Sequence, residues 1–337
     1  MALPLALTMG EPAGIGGEIA LKAWMRRGEG VPPFYVIDDP DRLTALAARL
    51  GWTVPMQAID VAGHAIQVFR DALPVLPVGG KPMAEPGRPE TADGSLVIGA
   101  IDRAVADVRE GRAAALVTNP INKEALYGAG FSHPGHTEYL GELADRLYGL
   151  PGATPIMMLA SPQLRVVPVT IHLALRHAIE ALTSAMIVMA GRVTHEALRR
   201  DFGVAMPVLA VAGLNPHAGE AGSLGREGLD IVAPAVAELR AAGIDARGPL
   251  AADTMFHAEA RGNYDAALCM YHDQALIPVK TLDFDDAVNV TLGLPFIRTS
   301  PDHGTAFDIA GQGIARPDSL IAALRLAAEM AERRQRG

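Results

Sequence analysis

Ala266-Ala267-Leu268-Cys269-Met270-Tyr271 is an apolar run of strand length, and His272 follows it directly. Two other apolar runs also lead to a histidine: Val166 to Thr170 before His172, and Val208 to Ala212 before His217. Short apolar runs flanked by turn residues are typical of buried parallel strands. In open α/β sheets, ligands gather at the carboxyl ends of the strands. We therefore expect the three imidazoles at one edge of a sheet, where they can hold a divalent metal ion with an open position for substrate.

The composition is that of an ordinary globular protein. The 337 residues, half of them apolar, suffice for two domains or one large one. The net charge of -9 argues against non-specific binding of nucleic acid. Cys269 is the only cysteine, which excludes an intrachain disulfide and favours a reducing compartment. The apolar start lacks the basic region of a signal peptide, and no apolar stretch approaches the ~20 residues of a membrane span, so we expect a cytoplasmic protein.

Apolar runs alternate with amphipathic stretches along the chain. This pattern predicts βαβ units and a mainly parallel sheet covered by helices. The expected helices are Pro40 to Leu50, Ser95 to Arg109, Thr137 to Tyr148, Leu175 to Arg200, Leu229 to Ala242 and Pro317 to Arg334. Several prolines between Asp71 and Glu90 predict an extended excursion without lasting regular structure.

The glycine-rich segment Thr8 to Glu18 follows a predicted strand and precedes a predicted helix, as a nucleotide-binding loop does. Its glycines match neither G-x-G-x-x-G nor the P-loop pattern, and no Lys-Ser/Thr pair follows Gly17. The pattern alone therefore favours a tight turn between strand and helix.

His136 and Thr137 stand where a helix is expected to begin. Thr137 is a plausible N-cap of that helix. A helix N-terminus with a hydroxyl and an imidazole also suits a phosphate or a carboxylate. The residues alone leave both interpretations open.

Other polar side chains stand out from apolar surroundings further along the chain. Lys280, Asn289 and Arg298 lie in otherwise apolar or loop sequence. Buried cations need partners, so we expect Lys280 and Arg298 to contact either a bound anion or one of Asp283, Asp285 and Asp286. Asp273, next to His272, suits either an acid/base role or orientation of the imidazole.

Taken together, the chain resembles the family of 4-hydroxythreonine-4-phosphate dehydrogenases of vitamin B6 synthesis. The motifs that carry the resemblance extend over nearly the whole chain: GEPAGIGGE, VTNPINK, PGHTE, GLNPHAGE, GREG, GPLAADTMF, MYHDQ and VNVTLGLPFIRTSPDHGTA. The resemblance implies the fold of the isocitrate and isopropylmalate dehydrogenases, two α/β/α domains with a central cleft. We expect residues 1–130 plus 300–337 in the first domain, and residues 131–299 in a second that carries the metal ligands and dimer contacts.

The resemblance also assigns roles to individual residues. It implies that a divalent metal ion is bound by His172, His217 and His272. It implies that substrate is bound by His136, Thr137, Lys280, Asn289 and Arg298. For the proton acceptor, Lys280, Asp273 and Asp253 are candidates, and Lys280 is favoured because a nearby metal ion makes a lysine easier to deprotonate.

The implied reaction uses NAD, or NADP, to oxidise the C3 hydroxyl of 4-phosphohydroxy-L-threonine. Decarboxylation then gives 3-amino-2-oxopropyl phosphate. The resemblance further implies a homodimer whose active site is shared between subunits, with zinc, magnesium or cobalt as the metal. Alternatives in the same chemistry are the oxidation of threonate or erythronate 4-phosphate, or of a cyclic diol dicarboxylate. From other classes, a metal-dependent hydrolase and a non-catalytic metal-binding module also fit three histidines.

Overall fold

The computed structural model describes residues 3–131, 133, 135–149, 152 and 154–336, which form an α/β fold, as predicted. In chain order the strands are β1 (Leu5–Thr8), β2 (Phe34–Asp38), β3 (Met56–Ala58), β4 (Leu73–Pro77), β5 (Leu116–Thr118), β6 (Ile156–Ala160), β7 (Arg165–Pro168), β8 (Val208–Ala212), β9 (Asp245–Leu250), β10 (Ala266–Cys269), β11 (Val288–Leu292) and β12 (Arg298–Pro301). The helices are α1 (Gly16–Met25), α2 (Pro40–Arg49), α3 (Ala65–Phe69), α4 (Gly94–Arg109), α5 (Lys123–Gly128), α6 (His136–Tyr148), α7 (Leu175–Ala181), α8 (Ser184–Arg200), α9 (Ala233–Ala241), α10 (Ala258–Arg261), α11 (His272–Leu282) and α12 (Asp318–Arg336).

The chain divides into two compact units. The first comprises Met1–Pro155 and Leu294–Glu332, and the second comprises Ile156–Gly293 and Arg333–Gly337. This division differs from the expected boundaries mainly in placing α6 with the first unit. The reason is packing, since Leu140 and Leu143 of α6 share a buried apolar core with Ile101 of α4.

The sheet of the first unit has the strand order β3-β4-β2-β1-β5-β12. All its strand pairs are parallel. Every residue of β1 is buried, and Leu7 pairs with Val36 on one side and Val117 on the other. A continuous apolar strand of this kind is typical of a parallel sheet covered on both faces by helices.

A buried carboxylate on α1 joins distant parts of the first unit. Glu18 is fully buried, and it accepts hydrogen bonds from the backbone N–H groups of Gly311, at 3.2 Å, and Ala315, at 3.0 Å. Lys22, one turn further along α1, donates to the carbonyl oxygen of Gly313 at 2.8 Å. Because an unsatisfied buried carboxylate is costly, these bonds fasten the segment before α12 to α1.

The sheet of the second unit has the strand order β11-β6-β7-β10-β8-β9. β6 is antiparallel to both of its neighbours. β10 lies between β7 and β8 and is parallel to both, and β9 continues the parallel arrangement beyond β8. The apolar runs that precede the three histidines are thus parallel strands of one sheet, as predicted, and the structure shows that they are adjacent.

Two local predictions were wrong for identifiable reasons. The segment expected to be irregular contains β4, which pairs with β2 and β3 although Pro74 and Pro77 belong to it. The expected helix from Leu175 to Arg200 is two helices, because the side chain of Thr183 accepts a hydrogen bond from Met186 N and caps α8. In the part of the chain that the structure describes, we find no helix that is both long and apolar enough to cross a membrane.

Candidate active site

The three candidate metal ligands all follow the carboxyl ends of adjacent parallel strands in the second unit. His172 lies after β7, His217 lies after β8, and His272 is the first residue of α11, just beyond β10. Because parallel strands end at the same edge of a sheet, this topology brings the three chain segments to one edge.

Two of the imidazoles lie side by side. The ring centres of His172 and His272 are 5.6 Å apart, with an angle of 41° between the ring planes. A histidine nitrogen binds a metal ion at about 2.0–2.1 Å, so two rings on one ion at a tetrahedral angle have centres about 5 Å apart. His272 Nδ1 is 2.8 Å from Asp273 Oδ1, which leaves Nε2 available for a ligand. The spacing of the pair therefore fits a shared divalent ion.

His217 does not complete this group within one chain. Among the described residues, no cluster of three or more His, Cys, Asp or Glu side chains is arranged to hold a metal ion. His217 begins a turn in which Ala218, Glu220 and Ala221 also have positive φ. His172 has a φ of 47°. Strained backbone of this kind clusters at functional sites. The metal site remains a prediction, with two of its expected ligands adjacent.

In the first unit, α6 begins at His136, and its N-cap is Gly135 rather than Thr137. The capping role expected for Thr137 is therefore wrong. Gly135 has an extended backbone, and a Cβ added there would stand 3.2 Å from the carboxylate of Glu138, which favours glycine at this position. The hydroxyl of Thr137 lies in the first turn of the helix, so capping no longer explains this residue.

His136 is a desolvated imidazole in a positive environment. Its Nε2 is buried and has no hydrogen-bond partner among the described residues. Burial holds the pKa of His136 well below 6.5, and the positive charges of Arg298 and Lys123 lower it further. The imidazole is therefore neutral at physiological pH. A buried nitrogen without a partner, beside two cations at a helix N-terminus, suits an anionic ligand.

Arg298 is a buried cation at the start of β12. The side chain is 4% exposed, and its Nε and Nη2 donate to Thr118 Oγ1 at 3.1 and 2.7 Å. Burial lowers the pKa of Arg298 to about 10. The guanidinium is thus held in place by a hydroxyl that carries no compensating charge.

The sequence reasoning missed Lys123 and Thr118 as members of this group. Lys123 is the first residue of α5, and its Nζ is 3.5 Å from the point where a Cβ on Gly135 would stand. Thr118 ends β5 and orients Arg298. Lys123 belongs to the motif VTNPINK, but the number of residues between Lys123 and His136 does not predict that the two side chains lie close together.

The other candidate residues lie in the second unit. Lys280 is partly buried on α11, with its Nζ 5.8 Å from the ring centre of Phe284. Asn289 is partly buried on β11, where it pairs with Leu159 of β6. Asp273 and Asp253 are both exposed. Nothing in their placement chooses among Lys280, Asp273 and Asp253 as the proton acceptor.

Packing explains the glycine-rich segment before α1. A Cβ on Gly10, which has a φ of +68°, would stand 2.6 Å from Asn119 Cβ and from the carbonyl oxygen of Pro120. A Cβ on Gly14 would stand 2.9 Å from the carbonyl oxygen of Thr305. The glycines therefore allow close approach of neighbouring backbone within the first unit.

Comparisons with known proteins identify the family to which the chain belongs. Residues 31–327 match the family model described as pyridoxal phosphate biosynthetic protein PdxA. The chain is 58% identical over 333 residues to the 4-hydroxythreonine-4-phosphate dehydrogenase of Methylorubrum populi, covering 98% of this chain and 95% of that protein. The crystal structure of the Klebsiella pneumoniae 4-hydroxythreonine-4-phosphate dehydrogenase is 40% identical and superposes with a TM-score of 0.86, covering 98% of each chain.

A solved structure with a different named activity is also similar. The terephthalate 1,2-cis-dihydrodiol dehydrogenase of Burkholderia xenovorans is 28% identical, with a TM-score of 0.64 and 98% of each chain covered. The family model covers most of the chain, and the relative from Methylorubrum populi is similar along nearly its full length. The chain therefore belongs to the PdxA family of pyridoxal phosphate biosynthesis.

Proposed function

We propose that this chain is a dehydrogenase that oxidises 4-phosphohydroxy-L-threonine at its C3 hydroxyl with NAD or NADP as hydride acceptor. The resulting β-keto acid then loses carbon dioxide to give 3-amino-2-oxopropyl phosphate. The names of the relatives from Methylorubrum populi and Klebsiella pneumoniae support this substrate. The observation that carries the phosphorylated substrate is the buried cation Arg298 beside the desolvated imidazole of His136.

The phosphate is proposed to bind in the first unit. Arg298 and Lys123 supply positive charge, and the neutral imidazole of His136 supplies one N–H donor to a phosphate oxygen. Thr137 adds a hydroxyl and the backbone N–H groups of the first helical turn. A phosphate dianion placed there would offset the desolvation of Arg298.

The metal is proposed to bind at His172 and His272 of the second unit, whose ring spacing fits one ion. When bound there, a divalent ion stabilises the negative charge that develops on the substrate oxygen. Asp273 holds Nδ1 of His272 and thereby orients the ring. We favour Lys280 over Asp273 and Asp253 to accept the proton of the C3 hydroxyl, and Asn289 to orient the substrate by hydrogen bonding.

The third ligand, His217, is proposed to come from a second copy of the chain in a homodimer. Large apolar side chains stand exposed next to the predicted ligands. Leu173 is 47% exposed, Leu224 is 44% exposed, and Ile277 on α11 is 63% exposed. Exposed large apolar side chains on the segments that carry the predicted ligands support a surface that another chain covers. A shared site accounts for the finding that one chain places only two imidazoles together.

A subunit-mixing experiment tests the shared site. Neither His172→Ala nor His217→Ala homodimers should turn over substrate. Mixed dimers should contain one site with all three imidazoles, so an equimolar mixture is expected to regain about a quarter of wild-type turnover. If all three ligands came from one chain, the mixture would stay inactive.

The substrate is tested by following reduced-nicotinamide absorbance with a panel of hydroxy acids. We expect turnover with 4-phosphohydroxy-L-threonine, accompanied by release of carbon dioxide, and little with unphosphorylated 4-hydroxythreonine. Faster turnover with erythronate 4-phosphate, or with a cyclic diol dicarboxylate such as that named for the Burkholderia xenovorans enzyme, would contradict the proposal.

A further inference from the structure

Buried side chains tie together the strand ends that lead to the predicted metal ligands. Thr170, just beyond β7, is 2% exposed and donates its Oγ1 to the carbonyl oxygen of Met270 at 2.8 Å. Thr170 lies two residues before His172, and Met270 lies two residues before His272. The backbone N–H of Val169 donates to the carbonyl oxygen of Cys269 at 2.7 Å, and the Thr170 bond extends this strand pairing toward the residues from which the paired imidazoles project.

A second buried residue extends the connection to the next strand. Gln274, in the first turn of α11, is 8% exposed. Its Oε1 accepts from the backbone N–H of Met270 at 2.6 Å, and its Nε2 donates to the carbonyl oxygen of Gly213 at 2.8 Å. Gly213 begins the segment that leads from β8 to His217. The side-chain amide of Gln274 thus accepts a bond from the residue after β10 and donates one to the residue after β8, which links the ends of the two strands.

We propose that Thr170 and Gln274 are positioning residues of the metal site. Neither is a ligand, but together they set the spacing of His172 and His272 and the path of the segment that carries His217. Groups that orient metal ligands typically change metal affinity by 10–100-fold when they are removed. This inference rests on the proposed metal-dependent function.

A purely structural role is the competing explanation. The same hydrogen bonds satisfy buried backbone groups, and their loss would then weaken the fold without changing affinity for metal. Thr194 on α8 provides a matched control in the same unit. It is fully buried, and its Oγ1 has no hydrogen-bond partner among the described residues. Thr194→Val thus removes a buried hydroxyl without breaking a bridge between strand ends.

The experiment measures metal binding directly. Full-length wild-type protein and the variants Thr170→Val, Thr170→Ser, Gln274→Met and Thr194→Val are stripped with a chelator. Each is then titrated with Zn²⁺ by calorimetry and with Co²⁺ by visible absorption, which reports ligand geometry. Circular dichroism verifies that each variant is folded.

We expect Thr170→Val and Gln274→Met to raise the Kd for metal at least about tenfold and to alter the Co²⁺ spectrum. Thr170→Ser keeps the hydroxyl and should bind metal with the wild-type Kd. Thr194→Val should also leave the Kd for metal unchanged. Should Thr170→Val not fold, Gln274→Met decides the question.

The possible failures are distinguishable. Wild-type Kd and spectrum in Thr170→Val and Gln274→Met would overturn the positioning role and leave the proposed function standing. Equal weakening by Thr194→Val would also overturn the positioning role, because loss of any buried hydroxyl would then suffice. A wild-type protein that binds neither ion would overturn the metal-dependent function and this inference together.

Discussion

Arg298→Met is the substitution that best separates binding from folding in the first unit. Burial lowers the pKa of Arg298 to about 10, which corresponds to about 3 kcal/mol of unfavourable desolvation. The bonds to Thr118 and the other contacts of the guanidinium offset most of this cost, since hydrogen bonds that involve a charged group contribute about 1.5–3 kcal/mol. Methionine fills a similar volume without charge. We therefore expect the free energy of unfolding to change by no more than about 1 kcal/mol in either direction.

Arg298→Met should change substrate binding far more than it changes the free energy of unfolding. Loss of a charge-assisted contact to phosphate removes about 1.5–3 kcal/mol, which raises KM for the phosphorylated substrate by about 10- to 100-fold. Urea unfolding with and without inorganic phosphate, followed by steady-state kinetics, measures both effects. Phosphate should stabilise the wild-type protein and have little effect on the variant.

The double variant Arg298→Met/Thr118→Val controls for the hydroxyl that the single substitution leaves without its donor. If the double variant is more stable than Arg298→Met, the unsatisfied hydroxyl of Thr118 accounts for any decrease in the free energy of unfolding of Arg298→Met. A loss of more than about 3 kcal/mol in both variants, with KM unchanged, would refute the reasoning and make Arg298 a structural residue.

Other substitutions probe separate features of the two units. His217→Ala should abolish metal binding and leave the circular dichroism spectrum unchanged, and full metal occupancy would contradict this. Gly10→Ala should lower the free energy of unfolding in urea by about 2–4 kcal/mol, because its Cβ would stand 2.6 Å from neighbouring atoms at positive φ. Gly30→Ala, with positive φ but no atom within 4 Å, is the control and should lose only about 1 kcal/mol. The pKa of His136 in the folded protein is held well below 6.5, so the unfolded chain binds more protons than the folded protein at low pH. The contribution of the neutral, buried His136 to stability is therefore lost as pH falls below 6.5. His136→Asn should flatten that dependence of urea midpoints on pH, and an unchanged slope would argue against it. Lys123→Gln should raise KM for the phosphorylated substrate a few-fold without changing the urea midpoint; an unchanged KM would remove Lys123 from the phosphate site.

Three strands of the second unit, β7, β8 and β10, were predictable because local sequence determines them. The runs before His172, His217 and His272 contain few polar residues, so burial on both faces follows from composition alone. That the three histidines lie at one edge of the sheet also follows, since ligands bind at the carboxyl ends of parallel strands, whereas the order β7-β10-β8 comes from the structure alone.

Other features depend on contacts that local patterns do not show. β4 forms in spite of its prolines because it pairs with strands on both sides. The α6 N-cap is Gly135, which offers no side chain to cap the helix, so the capping preferences of Ser, Thr, Asp and Asn do not locate this helix start. The meeting of Lys123 with His136 joins separate elements of the first unit, and no spacing rule predicts it.

The bonds to Glu18 have a consequence for synthesis on the ribosome. Glu18 is synthesised 293 residues before Gly311 and 297 residues before Ala315, whose backbone groups satisfy it. The intervening segment Ile156–Gly293 is complete before β12 exists. The segment Ile156–Gly293 can therefore begin to fold on the nascent chain, whereas the first unit must wait with an incomplete sheet, exposed to chaperones or misassociation, until β12 and the segment before α12 have been made.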